Sequence, residues 1–265
     1  MQATFFKKSF SRIFLIAGIA ASMVACKKDK DNNSGGGNGS GSKIASFTDG
    51  DNYAKFEYNA DGTVKVLTSR TDADGGDENK FNVSYNAQKK ITKLESEWQK
   101  IEVEYTNNVM SRTNLFIAGQ QTGYTDYQYT NGNLTKATLH FGEAGVFIPL
   151  IEYTYTYNAQ GNLSESSTKM AGEDEQFEHA GSIKYEYDSK TNPLYEHRQL
   201  LSLLLLNITK NNVTIENHLD ANQQPEDKYQ YTYTYNAKGL PEKAVVKQGL
   251  PGGEQSQSEV KYTYK

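Results

Sequence analysis

From Lys43 onward, apolar and polar positions alternate in short bursts. Eight segments show it: Phe56-x-Tyr58, Phe81-x-Val83-x-Tyr85, Ile101-x-Val103-x-Tyr105, Tyr127-x-Tyr129, Ile151-x-Tyr153-x-Tyr155-x-Tyr157, Ile183-x-Tyr185-x-Tyr187, Tyr229-x-Tyr231-x-Tyr233-x-Tyr235 and Val260-x-Tyr262-x-Tyr264. The interleaved residues, such as Glu57, Glu102, Glu104, Gln128, Thr154, Lys184, Thr232 and Lys261, are all polar. A strict period of two marks a strand with one buried and one wet face. Most segments run into a turn: Asn59-Ala60-Asp61-Gly62, Asn131-Gly132-Asn133, Asn158-Ala159-Gln160-Gly161 or Asn236-Ala237-Lys238-Gly239. Asparagine and glycine tolerate the left-handed backbone of tight hairpins. An aliphatic residue (Val64, Leu134, Leu163, Leu240) then opens a less regular return strand, as in Leu94, Ser96, Trp98 or Ala137, Leu139, Phe141. Ile91 and Leu134 sit three residues before those runs and break their parity, which predicts a β-bulge beside the turn.

The terminal tyrosines stand at 58, 85, 105, 129, 157, 187, 235 and 264, and the step from 187 to 235 is about twice the others. A hidden hairpin turn is expected there, at Asn211-Asn212, with Val213 to Ile215 returning. The count is about sixteen strands, with no amphipathic helix to cover their apolar faces. The expected fold is all-β: one large antiparallel hairpin-repeat meander curved into a barrel-like or flattened, partly plugged soluble sheet. Sixteen tilted strands make a circle roughly 30 Å across, too wide for tyrosines on opposite walls to meet. The sheet must therefore flatten, stay open or hold a plug. Leu200 to Ile208, the most apolar run after the leader, is the plug candidate, as a helical turn or a buried strand. Val146 to Leu150 is expected to do similar work. An open sheet would expose an edge for strand exchange with a partner. Tyrosines facing lipid are the disfavoured alternative, because membrane barrels confine aromatics to interfacial girdles.

The first residues read as an address. Lys7, Lys8 and Arg12 precede the apolar run Ile13 to Ala21, which is too short to span a bilayer. Met23-Val24-Ala25-Cys26 follows and resembles a bacterial lipobox. The expected organisation is a lipoprotein signal peptide over 1–25, a lipid-anchored flexible linker over 26–43 and a repeat-built β domain over 44–265. Cys26 would be the lipid-attachment residue, and several acyl chains on it would anchor stably. The Gly/Ser/Asn run through Ser42 would hold the domain off the bilayer. Lys27 argues against inner-membrane retention, and the Lys27-to-Asp31 cluster loosely resembles the export signal of Bacteroidetes surface lipoproteins. The expected location is the outer membrane, lipid-anchored, on the cell surface or the periplasmic face.

Composition narrows the chemistry. The 265 residues include 19 Tyr, 1 Trp and 1 Cys, with a formal net charge of -4. One cysteine excludes an internal disulfide and a cysteine zinc site. An acidic balance argues against nucleic acid. His140, His179, His197 and His218 lack metal-ligand spacing and read as exposed or loop residues. Glu143, Glu173, Asp174 and Glu175 read as loop acids, and Asp72 to Glu78 as a solvated loop without the spacing of a calcium site. No metal, cofactor or catalytic residue is assigned. Trp98 and the tyrosines have faces that suit sugar rings, but their regularity reads first as core.

The unit Tyr-x-Tyr-x-Tyr-Asn-x-x-Gly-x-Leu resembles the tyrosine–aspartate repeats of Rhs-type shell proteins, with Tyr187-Asp188 alone keeping the aspartate. A nearer resemblance is to a family of uncharacterised Bacteroidetes lipoproteins with a porin-like fold. It is carried by Tyr185-Glu186-Tyr187-Asp188, Asn192-Pro193-Leu194, the leucine run, Lys210-Asn211-Asn212-Val213-Thr214 and the closing Tyr-x-Tyr-x-Tyr hairpin, and covers roughly residues 45 to 265. The resemblance implies a water-soluble, single-chain, curved antiparallel sheet and supplies no catalytic residues. The expected function is a non-enzymatic binding or scaffold lipoprotein, a monomer with a glycan or protein partner of unknown ligand-binding residues. The alternative is a glycan-active or other hydrolytic enzyme with its site in the sheet interior, to be told by clustered acids with raised pKa.

Overall fold

The computed structural model describes residues 42–70, 76–172, 176–206, 208–249, 253 and 255–265. The strands are β1 (Ile44–Asp49), β2 (Asn52–Tyr58), β3 (Val64–Arg70), β4 (Glu78–Tyr85), β5 (Ile91–Glu95), β6 (Gln99–Thr106), β7 (Val109–Ile117) and β8 (Gln120–Thr130). They continue as β9 (Asn133–Glu143), β10 (Val146–Tyr157), β11 (Leu163–Ala171), β12 (Phe177–Thr191), β13 (Asn211–Leu219), β14 (Pro225–Tyr235), β15 (Pro241–Gly249) and β16 (Gln255–Tyr264). Each pairs antiparallel with its chain neighbours, and β16 pairs back onto β1 to close the barrel. Closure removes the free edge, so the strand exchange expected of an open sheet loses its basis.

The asparagine turns all lie on one rim. There Asn86 Oδ1 accepts from the N–H groups of Gln88 and Lys90, both at 3.0 Å, and Asn158 and Asn236 bind their own turns in the same way. The predicted bulge recurs around this rim. Tyr58 faces Val64 while Glu57 faces Val66, and the same skip occurs at Tyr85, Tyr105, Tyr129, Tyr157, Tyr187 and Tyr235.

The tyrosine faces point inward. Rings two residues apart stack along a strand at 6.4 Å for Tyr153–Tyr155, Tyr185–Tyr187 and Tyr231–Tyr233, within the range of favourable ring pairs. On five strands the last tyrosine turns its hydroxyl to the preceding return strand. Tyr58 donates to Ile44 O at 2.7 Å, Tyr85 to Val64 O at 2.9 Å, Tyr105 to Ile91 O at 2.8 Å, Tyr157 to Leu134 O at 2.9 Å and Tyr264 to Pro241 O at 2.6 Å.

The long step between Tyr187 and Tyr235 holds no hidden hairpin turn at Asn211-Asn212. These two residues open β13, and the return strand runs well past Ile215. Asn192 N–H donates to Lys210 O at 2.8 Å, the closing bond that Asn158 makes to Asn162 O across its short turn. The segment between Asn192 and Lys210 is therefore one expanded turn, and its described residues fold into the barrel as the plug. A 3-10 turn (Tyr195–His197) leads into α1 (Arg198–Ser202). Leu200, Leu201, Leu203, Leu204 and Leu206 are buried in one cluster with Phe56, Phe81, Leu94, Ile101, Tyr127 and Tyr155 of the wall. Of the two forms open to the leucine run, the helical turn is the one adopted.

Val146 to Leu150 is not a plug. It opens β10 in the wall, and Val146 is 73% exposed. Trp98 lies between β5 and β6 rather than in a return strand, where its indole N–H donates to Asn79 Oδ1 at 2.9 Å. The lipid-facing alternative fails on geometry. The tyrosines pack on the leucine plug, and the outer face carries residues such as Glu57, Gln128, Lys184 and Lys261. Among the described residues that face carries a few exposed apolar side chains (Val109, Val146, Ile148, Met170) rather than the continuous apolar band of a membrane barrel.

Candidate functional site

The expanded turn does not fill the barrel mouth evenly. Between one flank of the plug and the rim of β5 to β11 lies a cleft of about 560 Å³. Its wall side carries Tyr105, Tyr129, Tyr157 and Lys90, and its plug side carries Tyr195, Glu196, Arg198, Gln199, Ser202 and Lys210. Gln199 Nε2 donates to the Tyr105 hydroxyl at 2.6 Å, tying the plug to the wall on the cleft floor. Burial raises the ionisation of Tyr157 to about 12 and keeps its hydroxyl a neutral donor. Lys43 also sits on this rim, where its Nζ donates to Gly62 O at 2.9 Å and its carbonyl accepts from Lys265 N–H at 2.8 Å. The chain thus enters and leaves the barrel at the cleft end.

A second polar cluster lies inside the far half of the barrel. Glu216 Oε2 is 3.1 Å from His218 Nε2, and Tyr231 donates to Glu216 Oε1 at 3.2 Å. Gln248 donates to Asp227 at 3.3 Å, and Ser258 to Asp49 at 3.4 Å. Burial raises Asp49 to about 6, although the bond from Ser258 opposes the shift. Asp49 stands at the end of β1 away from the cleft. Among the described residues no three His, Cys, Asp or Glu side chains are placed to hold a metal ion.

The residues singled out by sequence scatter. Cys26, the signal peptide and nearly all of the linker lie outside the described residues, as do 71–75 of the acidic loop and Glu173, Asp174 and Glu175. Glu143 ends β9. The histidines are not loop residues. His140, His179 and His218 are on strands, and His197 is buried in the plug at 9% exposure, stacked 5.1 Å from Phe56. His140 packs 4.2 Å from Tyr124 on the outer wall, beneath Arg112 at 4.1 Å from that ring. Sequence reasoning missed Lys90, Tyr195, Arg198 and Lys210 as site residues. One signal pointed to the lysines: Lys43, Lys90 and Lys210 each directly precede a strand that leaves this rim.

No protein-family model matches the chain, and no curated protein matches it. Solved structures do. A porin-like protein from Bacteroides vulgatus ATCC 8482 is 13% identical with TM-score 0.55, over 84% of this chain and 98% of that one. One from Bacteroides uniformis ATCC 8492 is 16% identical with TM-score 0.42, over 85% and 96%. The TcdB2–TccC3–Cdc42 structure matches at 12% identity and TM-score 0.35, over 78% of this chain and 12% of that one. In fold, the chain is similar to the Bacteroides vulgatus porin-like protein.

Proposed function

We propose that the protein is an outer-membrane lipoprotein, tethered through Cys26, that binds a small ligand without transforming it. One observation carries this reading: the tyrosine-lined cleft of about 560 Å³ between plug and wall. Binding pockets of this size combine apolar faces with a few fixed polar groups. Glu196 is the carboxylate among its lining residues, and raised Asp49 stands at the opposite end. The described cleft lining thus holds one acid where glycan hydrolysis requires a pair, and the interior acids Glu216, Asp227 and Asp49 are the groups on which the enzymatic alternative would rest. With Lys43 at the same end of the barrel as the cleft, the linker would join the domain at that end.

Two measurements test the reading. Labelled palmitate should enter the wild-type protein and be lost in Cys26→Ser; an unlabelled wild type overturns the tether. Saturation-transfer NMR of the full chain against neutral and charged oligosaccharides should show bound ligand recovered intact. Turnover would move the protein to the enzyme class, and protease shaving of intact cells would tell the surface from the periplasmic face.

A further inference from the structure

The way the cleft holds its cations points to a ligand class, and the inference rests on the binding reading above. On the outer wall, several lysines are neutralised by acids. Lys93 meets Glu95 at 2.6 Å, Lys100 meets Glu102 at 2.7 Å, Lys243 meets Glu259 at 2.9 Å, and Lys136 meets Glu152. The cleft cations are held by uncharged oxygens instead. Lys90 Nζ donates to the main-chain and side-chain oxygens of Asn108 at 2.6 and 2.9 Å. Lys210 Nζ donates to Gln160 O at 3.3 Å, and Arg198 Nη1 to Tyr195 O at 3.1 Å. A carbonyl fixes the direction of a cation without cancelling its charge. Glu196 is the acid opposing them among the lining residues, and its near partner is His197 Nε2 at 3.3 Å. Three cations against one acid, in a concavity walled by tyrosine, focus a positive potential. They do so on a chain whose formal net charge is -4.

We propose that this cleft binds an anionic saccharide, a sugar acid or a sugar phosphate. Lys90, Arg198 and Lys210 take the anionic group by charge-assisted hydrogen bonds. Tyr129 and Tyr157 supply ring faces for the sugar, and Gln199 and Ser202 supply polar groups for its hydroxyls.

The test is calorimetric titration of the detergent-purified full chain with galacturonate trimer against neutral galactose trimer, and with glucose 6-phosphate against glucose. At least one anionic probe should bind roughly tenfold or more tightly than its neutral counterpart. That advantage should shrink as salt rises from about 50 to about 500 mM. The pair Lys90→Gln and Lys210→Gln should bring the ratio to within about threefold; a roughly tenfold ratio kept by the double variant overturns the assignment to these lysines. Equal affinity for charged and neutral probes overturns the anion assignment and leaves the binding reading standing. Absence of binding by every saccharide overturns both. Lysine-dependent binding to phosphatidylglycerol vesicles without saccharide binding overturns the proposal in favour of a lipid headgroup.

Discussion

His197 concentrates the plug's attachment in one side chain. Its ring stacks on Phe56, and its Nε2 lies 2.8 Å from the Tyr58 hydroxyl. Burial, with Lys43 nearby, lowers its pKa from 6.5 to about 4. The folded state therefore resists a proton that the unfolded chain accepts. The stability this represents is complete above pH 6.5 and is lost as pH falls toward 4. Asp49 works the other way, because its pKa is raised to about 6 and its neutral form favours the fold as pH falls. Comparison of variants therefore isolates the histidine. Between pH 7 and 4.5, His197→Gln should lose on the order of 2 kcal/mol less stability than the wild type. Equal acid slopes in the two proteins would refute the assignment.

The repeating element is a hairpin with three linked devices: an asparagine that binds its own turn, a bulge, and a tyrosine hydroxyl on the neighbouring strand. The linkage explains why the chain uses tyrosine at these positions rather than phenylalanine. At the barrel mouth the ring must be buried while its tip satisfies a carbonyl. Tyr85→Phe should cost about 1–2 kcal/mol by orphaning Val64 O, against nearly nothing for an exposed Tyr→Phe. Chemical denaturation of both variants measures the difference, and equal midpoints would remove the hydroxyl from the account. The element also explains the odd aspartate. Asp188 stands where other strands place the turn asparagine, but β12 runs on to Thr191. Its carboxylate accepts from the Tyr235 hydroxyl and, at 3.1 Å, from Asn212 Nδ2, bracing the base of the expanded turn.

At the scale of the molecule, the plug answers a geometric problem. A sixteen-stranded wall encloses more space than inward tyrosines fill, and the buried leucines of one long turn occupy the rest. Each buried leucine contributes about 1.5–3 kcal/mol. Replacing residues 193–209 by an Ala-Gln-Gly turn keeps the hairpin closure and removes all five buried leucines. The shortened chain should lose its cooperative thermal transition and bind an apolar dye. A sharp transition near the wild-type midpoint would show that the wall supports itself. The plug also forms one side of the cleft, so the interior and the site depend on one segment.

Much of this was legible in the residues because period-two patterning, turn chemistry and the parity break at Ile91 and Leu134 are local. The strand count, the inward tyrosines, the bulge and the leucine run as filler all follow from neighbours within a few positions. The longer-range features were not legible. Whether β16 meets β1 depends on twist and stagger summed over the whole sheet. The 187-to-235 step reads as a hidden hairpin, and only the bond from Asn192 to Lys210 O shows it to be one long turn. Val146 to Leu150 and Leu200 to Ile208 look alike as apolar runs, yet one is wall and the other plug. The cleft is the extreme case: Lys90, Tyr129, Tyr157, Arg198 and Lys210 are far apart in sequence. The sequence by itself determined the repeating strand and its two faces, since a side chain's face is set by its own backbone. Tertiary structure decided closure, the path of the plug and the charged mouth, because those depend on where distant hairpins come to rest.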